Sequence, residues 1–216
     1  MILTCVAAAS MLSACGTISN SLVEKTTHVE FFRIYDLKTQ SSFEAIANAA
    51  SNGVGKDINN MQSDFPINTS GAIPDKPRYM TLTNPFAGSP LGALTEAAGS
   101  VRMNIATCDG AVWTAMSSRA NNGNFGDNIT LCLFPYKGGY QLDMYGALTQ
   151  QSGGLMQFSR AIVNSALGSP REFMEKAFND TLVSIHDAVP DAQLSFVRGE
   201  PAPSSLPWVA STVLGK

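Results

Sequence analysis

The sequence predicts a single α+β domain, an antiparallel sheet of about five to six strands with helices packed on one face. Three observations lead to this fold class. Residues 28–38 are rich in aromatic and β-branched side chains, as strands are, and two sets alternate along them: Val29, Phe31, Arg33, Tyr35 and Leu37 against Glu30, Phe32, Ile34 and Asp36. Further apolar runs between residues 101 and 148 are separated by turn residues, which indicates consecutive strands. Apolar residues then recur at helical spacing over 155–166 and 170–189.

A helix is predicted directly after the first strand. It opens at Ser41-Ser42 and ends at Gly53 and Gly55, because serine caps a first turn and glycine closes a last one. Its apolar residues all fall on one face, which therefore packs on the sheet. These residues are Phe43, Ile46, Ala47, Ala50 and Val54.

The middle of the chain is predicted to be rich in strands. A short strand at 78–83 and a short helix at 91–98 come first. Asp109-Gly110 predicts a two-residue hairpin between the next two strands, and Lys137-Gly138-Gly139 predicts a second hairpin. The four strands joined in this way are 101–108, 111–118, 129–136 and 140–148.

The carboxyl-terminal third is predicted to be helical and then extended. Ser169-Pro170-Arg171-Glu172 is a capping box with proline in the first turn, and it begins the long helix that Pro190 ends. A last strand at 193–197 precedes a Pro-rich tail. A long carboxyl-terminal helix across an antiparallel sheet resembles the topology of helix-grip folds.

The amino terminus carries the most specific motif of the chain. An apolar stretch leads to Leu12-Ser13-Ala14-Cys15, in which small residues stand directly before a cysteine. This stretch resembles the lipobox of bacterial lipoproteins, whose signal peptides end in small residues. The resemblance implies cleavage before Cys15 and a diacylglyceryl group on its sulfur.

The same resemblance divides the chain. It implies a signal peptide at 1–14, a lipidated flexible tether at 15–26, a periplasmic domain at 27–199 and a tail at 200–216. Gly16, which is not aspartate, resembles the sorting signal for the outer membrane. We therefore expect a lipid-anchored protein that faces the periplasm from the outer membrane, although the residues leave open the inner membrane or the outer surface.

The remaining cysteines are Cys108 and Cys132, an even pair in a chain sent to an oxidising compartment, which favours a disulfide. A plain meander conflicts with this pairing, because it places the two cysteines on strands about 10 Å apart. A disulfide needs Cα atoms within about 7 Å. Either the bridge is absent, or Asp109-Gly110 directs 111–118 elsewhere so that 101–108 lies beside 129–136. We favour the second alternative.

Composition and motifs argue against several classes of function. A net charge of −3 and the scattered Lys and Arg residues argue against a nucleic-acid partner. The sequence shows no metal-ligand spacing around His186, and Asp109 and Asp143 are explained by a turn and by the polar face of a strand. We expect no catalytic residue, no metal and no cofactor.

Aromatic residues are the remaining candidates for binding. Trp113, Tyr136, Tyr140 and Trp208 either pack within the domain or contact a protein or glycan partner. The sequence therefore favours a non-catalytic binding or scaffolding protein, held at the membrane through lipid on Cys15, with an envelope protein as partner. The alternatives are a carrier of an apolar ligand or lipid between sheet and long helix and, third, an envelope hydrolase.

Overall fold

A computed structural model describes residues 25–66, 72–90, 92–93, 104–118, 128–152 and 169–211. Its helices are α1 (Phe43–Val54) and α2 (Pro170–Ala188). Its strands are β1 (Lys25–Lys38), β2 (Gln62–Asp64), β3 (Thr81–Thr83), β4 (Ile105–Thr107), β5 (Trp113–Ser118), β6 (Asn128–Tyr136), β7 (Gly139–Ser152), β8 (Gln193–Glu200) and β9 (Ala210–Ser211).

Seven strands form one open sheet in the order β2-β5-β6-β7-β1-β8-β9. Six of them pair antiparallel, and β9 adds to the edge of β8 in the parallel direction. The strands β3 and β4 form a separate two-stranded sheet. The predicted single α+β domain with a mainly antiparallel sheet is confirmed.

Both helices pack on the same face of the seven-stranded sheet, here called the helix face. Phe31 and Leu142 lie on this face, and they are fully buried against the apolar sides of α1 and α2. Gly146 lies there too, because a Cβ at this position would collide with the side chain of Met174 on α2. The helix residues that fill this core are Ile46, Ala47, Ala50, Val54, Met174, Ala177, Phe178, Leu182 and Ile185.

The opposite face of the sheet is covered by two segments, residues 74–83 and 104–111, here called the cover layer. Asn104 hydrogen-bonds to Glu30 on β1, and Cys108 is bridged to Cys132 on β6. Ala111 joins Cys132 in a small second core. The sheet is therefore sandwiched between helices and the cover layer.

Local signals in the sequence are confirmed at three turns. Ser42 caps α1, and Ser169 and Glu172 form the capping box of α2. The hairpin between β6 and β7 turns at Lys137 and Gly138, and Gly139 follows with a φ of +139°. Glycine suits this position because a side chain there is sterically strained.

One glycine has a role that the sequence did not indicate. Gly53 does not end α1, which continues to Val54 and is capped by Gly55. A Cβ on Gly53 would lie 2.5 Å from the backbone oxygen of Asp180 and 2.5 Å from the Cα of Thr181, both on α2. Gly53 therefore lets the two helices approach closely.

The hairpin predicted at Asp109-Gly110 is wrong. The strand before this turn, β4, pairs with β3, whereas the strand after it, β5, pairs with β2 and β6. The preferred alternative is also wrong, because β5 remains beside β6 and β4 does not take its place. The turn instead carries the chain from the cover layer down into the sheet.

The disulfide between Cys108 and Cys132 is present, with the two Cα atoms 5.7 Å apart. The strands β5 and β7 flank β6 in the sheet, and Cys108 belongs to neither of them. Cys132 reaches its partner perpendicular to the sheet, because Cys108 lies in the cover layer above it. The strand order and the disulfide are therefore compatible, because the bond joins two layers and does not join two strands of one sheet.

Several expectations fall on other parts of the chain. The lipobox-like stretch, the helix at 155–166 and most of the helix at 91–98 lie outside the described residues. The strand β1 already begins at Lys25, within the range predicted for the tether. Within the described residues, no helix combines the length and the apolar character needed to cross a membrane.

Candidate functional site

The carboxyl-terminal segment 201–211, here called the C-terminal strap, forms a loop over one edge of the sheet. The chain leaves β8 at Glu200 and returns as β9, which pairs with Ser195 and Phe196 of β8. Both ends of the strap are thus attached to the same strand. The tail predicted from its prolines docks on the domain as far as Ser211.

A cavity of about 340 Å³ lies between the C-terminal strap and the sheet edge. Its floor on the sheet is formed by Tyr35 and Phe196, whose ring centroids are 5.6 Å apart. The strap supplies the other wall with Ala202, Pro203, Ser204, Ser205, Leu206 and Val209. Apolar walls with a few polar groups are typical of small-molecule sites.

An ion pair holds the strap beside this cleft. Arg33 is almost fully buried on the helix face of β1, and its Nη2 lies 2.9 Å from Oε2 of Glu175 on α2. The other carboxylate oxygen, Oε1, accepts hydrogen bonds from the backbone N–H (2.7 Å) and the hydroxyl (2.9 Å) of Ser204. A single carboxylate therefore neutralises a buried charge and fastens the strap.

The neighbouring strand leaves room for this arginine. Gly199 on β8 pairs with Arg33, and a Cβ at Gly199 would lie 2.8 Å from Cδ of the arginine. The absence of a side chain at Gly199 allows the arginine stem to lie across β8 towards the strap. The geometry of the ion pair therefore depends on glycine at this position.

A second contact fastens the strap farther along. The indole of Trp208 stacks on the ring of His186 near the end of α2, with centroids 4.3 Å apart and planes within 6°. Leu206 and Val209 on either side pack against the main core. The histidine thus takes part in a structural contact with the strap.

Burial governs the chemistry of the cleft floor. It raises the pKa of Tyr35 to about 12, with nearby Arg33 lowering the pKa and Glu175 raising it. The Tyr35 hydroxyl therefore keeps its proton across the physiological range. Ser204 and Ser205 supply the other hydroxyls of the cleft.

A buried polar cluster lies on the opposite face of the sheet, beneath the cover layer. Asp143 on β7 is 1% exposed and accepts hydrogen bonds from the backbone N–H of Met80 (2.8 Å) and from Nε2 of Gln141 (2.7 Å). Gln141 also donates to the backbone oxygen of Arg78 (2.9 Å). Burial raises the pKa of Asp143 to about 6, although these hydrogen bonds and Arg198 act in the opposite direction. The cluster fastens the cover layer to the sheet.

This raised pKa predicts a pH-dependent stability. The Asp143 carboxyl has a pKa of about 6 in the folded protein and an ordinary value of 3.8 when solvated, so it retains its proton longer when folded. Stability is therefore lost as pH rises from about 4 to about 6, by up to about 3 kcal/mol. Because an amide does not titrate, we expect the free energy of unfolding of the parent minus that of Asp143→Asn to fall by up to that amount between pH 4 and pH 7.

Urea unfolding at several pH values measures this effect as the difference between variant and parent. Thr114→Val serves as control, because Thr114 is buried on the same face and does not titrate. A difference between Asp143→Asn and the parent that stays constant from pH 4 to 7 would contradict the assignment.

The aromatic residues selected from the sequence do not form one surface. Trp113 is fully buried in the main core, where its Nε1 donates to the Ser63 hydroxyl, and this fits the packing alternative. Tyr136 and Tyr140 are half-buried at the β6–β7 turn, and Tyr136 donates to Asp36. Trp208 lies in the C-terminal strap on the other side of β8, half-buried.

The polar candidates are also dispersed. Asp109 is exposed in a turn of the cover layer, Asp143 is buried under that layer, and His186 stacks on Trp208 at the opposite side of the domain. Among the residues that the structure describes, no group of three or more His, Cys, Asp or Glu side chains could hold a metal ion. Cys15 lies outside the described residues.

The sequence interpretation missed the ion pair that holds the strap beside the cleft. Arg33 was detectable, because it occupies an inward position of β1 between Phe31 and Tyr35. A charge in an apolar register indicates a buried ion pair. Its partner Glu175 is 142 residues away, and no sequence spacing connects the two.

No protein-family model, no curated protein and no solved structure matches the chain.

Proposed function

We propose that this protein is a lipid-anchored envelope protein whose α+β domain is a non-catalytic binding module. The observation that carries the binding function is the cleft of about 340 Å³ beneath the C-terminal strap. It combines a mainly apolar wall with a few hydroxyl groups, as ligand sites do. It lies beside α2 rather than between α2 and the sheet, where buried side chains of the helix pack directly on the strands.

Two observations support the proposed location. Leu12-Ser13-Ala14-Cys15 resembles a lipobox, and the disulfide between Cys108 and Cys132 fits an oxidising compartment. With Cys15 as anchor and β1 beginning at Lys25, the intervening residues span at most about 35 Å. The domain would therefore work close to the membrane surface.

The structural contacts of Asp143 and His186 support the proposal of a non-catalytic domain. Asp143 fastens the cover layer, and His186 supports the strap by stacking on Trp208. A general base needs a positioned partner within reach of a substrate proton. An envelope protein as partner remains part of the proposal, with Tyr136, Tyr140 and Trp208 as candidate contacts.

Metabolic labelling with a palmitate analogue tests the anchor. We expect label on the full chain in an envelope-bearing bacterial host and no label on Cys15→Ser, because only the Cys15 thiol can accept the lipid in this scheme. An inhibitor of the lipoprotein signal peptidase should cause a larger, uncleaved form to accumulate.

Cys5→Ser is the matched control, since Cys5 lies within the proposed signal peptide and should not affect labelling. Equal label on Cys15→Ser and on the parent would contradict lipidation at this site.

A further inference from the structure

We propose that the cleft beneath the C-terminal strap binds a neutral amphipathic molecule with a small ring or branched alkyl body and a hydroxyl group. This inference deepens the proposed binding function and rests on it. It concerns what the cleft accepts, and it is independent of whether Cys15 carries a lipid.

The size of the cleft limits the ligand. A cavity of about 340 Å³ lies at the small end of the range for small-molecule sites, which is roughly 300 to 1,000 Å³. A single ring with a short chain fits such a volume, whereas a diacyl lipid does not. The strap returns to the sheet edge at β9, so both of its ends are attached to β8.

The walls select for an apolar body. Phe196 offers a ring on the sheet side, and Pro203, Leu206 and Val209 offer aliphatic surface on the strap side. Phe196 is tilted against Tyr35 by 58°, so the two rings meet at an angle. A flat or branched apolar group inserted here would contact both layers.

The polar side chains among the described lining residues carry hydroxyl groups. Tyr35, Ser204 and Ser205 belong to the lining, and each hydroxyl can both donate and accept a hydrogen bond. The Ser204 hydroxyl already donates to Glu175, and it accepts from Asn179 (3.0 Å). A ligand hydroxyl matches such groups because it too can donate or accept.

Charge in and around the cleft disfavours an ionic ligand. Within the part of the chain that the structure describes, eight residues line the cleft and none of them is charged. The charges nearest to its floor, Arg33 and Glu175, neutralise each other at 2.9 Å. A charged ligand would lose hydration on entering and would find no counter-charge in the lining, which is costly.

Three matched probes test this selectivity. 4-Propylphenol, 4-propylbenzoate and 4-propylbenzylammonium share their size and apolar body and differ in charge. The purified full chain, held in lipid nanodiscs if it carries a lipid and free in buffer if it does not, is titrated with each probe by ligand-observed NMR, with the matching protein-free sample subtracted. We expect saturable binding of the phenol, and at least tenfold weaker binding of both ions.

Two variants place the binding in the cleft. Ala202→Phe and Ser205→Phe put a ring into the lining from exposed positions of the strap, so we expect at least a tenfold loss of phenol binding without loss of fold. Ala210→Phe is the control, because Ala210 is an exposed strap residue outside the lining. Circular dichroism and urea unfolding verify that each variant is folded.

The outcomes separate the alternatives. Phenol binding that is lost in at least one filling variant and kept in Ala210→Phe supports the proposal. Equal or tighter binding of either ion, unchanged binding in both filling variants, or no saturable binding at all overturns it. A palmitate experiment without label at Cys15 leaves this titration interpretable, so the two proposals fail independently.

Discussion

Glu175→Ala is expected to lower the free energy of unfolding by about 3 to 5 kcal/mol, because it leaves the buried Arg33 guanidinium without its carboxylate. Arg33 is 1% exposed, so its guanidinium depends on Glu175 for charge compensation in the folded protein. The same substitution removes the acceptor of the two hydrogen bonds from Ser204. One substitution therefore acts on the helix face and on the C-terminal strap together.

Removing the arginine, and not the glutamate, should lower the free energy of unfolding by less. In Arg33→Met the apolar stem is largely retained, and the remaining Glu175 carboxylate is 22% exposed and can be hydrated while it still accepts from Ser204. The double variant Arg33→Met/Glu175→Met removes both charges, so we expect it to be more stable than Glu175→Ala. This order distinguishes an unpaired buried charge from a simple loss of packing.

Urea unfolding of the four proteins measures these differences. Asp187→Ala is a suitable control, because Asp187 is an exposed carboxylate on the same helix and its loss should change stability by less than about 0.5 kcal/mol. If Glu175→Ala and Asp187→Ala lose the same small amount, the ion pair does not stabilise the fold.

In Glu175→Ala the C-terminal strap should also become less ordered. Amide hydrogen exchange at Ser204 should accelerate in Glu175→Ala, since its N–H loses its acceptor. The amides of β1 and β7 in the middle of the sheet serve as internal references. The ligand cleft depends on the strap, so binding and strap order are expected to decrease together.

Local features of the fold were predictable from the sequence because their physical causes lie within a few residues. The capping box at Ser169 and Glu172 needs only its own turn, and the aromatic and β-branched side chains of β1 favour a strand by their own preference. The β6–β7 turn at Gly138 is equally local. In each case neighbours in sequence are also neighbours in space.

Features that depend on contacts between segments far apart in sequence were not predictable in this way. The departure of β4 from the sheet depends on its pairing with β3, and nothing in the local residues Asp109-Gly110 indicates it. The same holds for Gly53, whose absent side chain matters only because α2 lies against it. The cleft was missed for a related reason, since its two walls come from β1 and β8 on one side and the strap on the other.

The disulfide is expected to have the second large effect. Reduction of the bond between Cys108 and Cys132, 24 residues apart, should lower the free energy of unfolding by about 3.5 kcal/mol on the chain-entropy model. Cys108→Ala/Cys132→Ala should lose somewhat more, because Cys132 is fully buried beside Ala111 and its missing sulfur leaves a small cavity. Urea unfolding of the oxidised parent, the reduced parent and the double variant separates the cross-link from the packing.

Loss of the disulfide should also reduce protection from hydrogen exchange more in the cover layer than in the sheet. The bond ties the cover layer to β6, so hydrogen exchange should accelerate at Met80, whose N–H donates to Asp143 under the same layer. The amide of Val112 donates to the backbone oxygen of Leu133 in the sheet and should accelerate only by the loss of stability of the whole domain. Equal acceleration at both amides would mean that the bond acts on the whole domain alone, whereas a larger acceleration at Met80 identifies it as the fastening of the cover layer. Since β6 already has both strand neighbours in place, the second result is the one we expect.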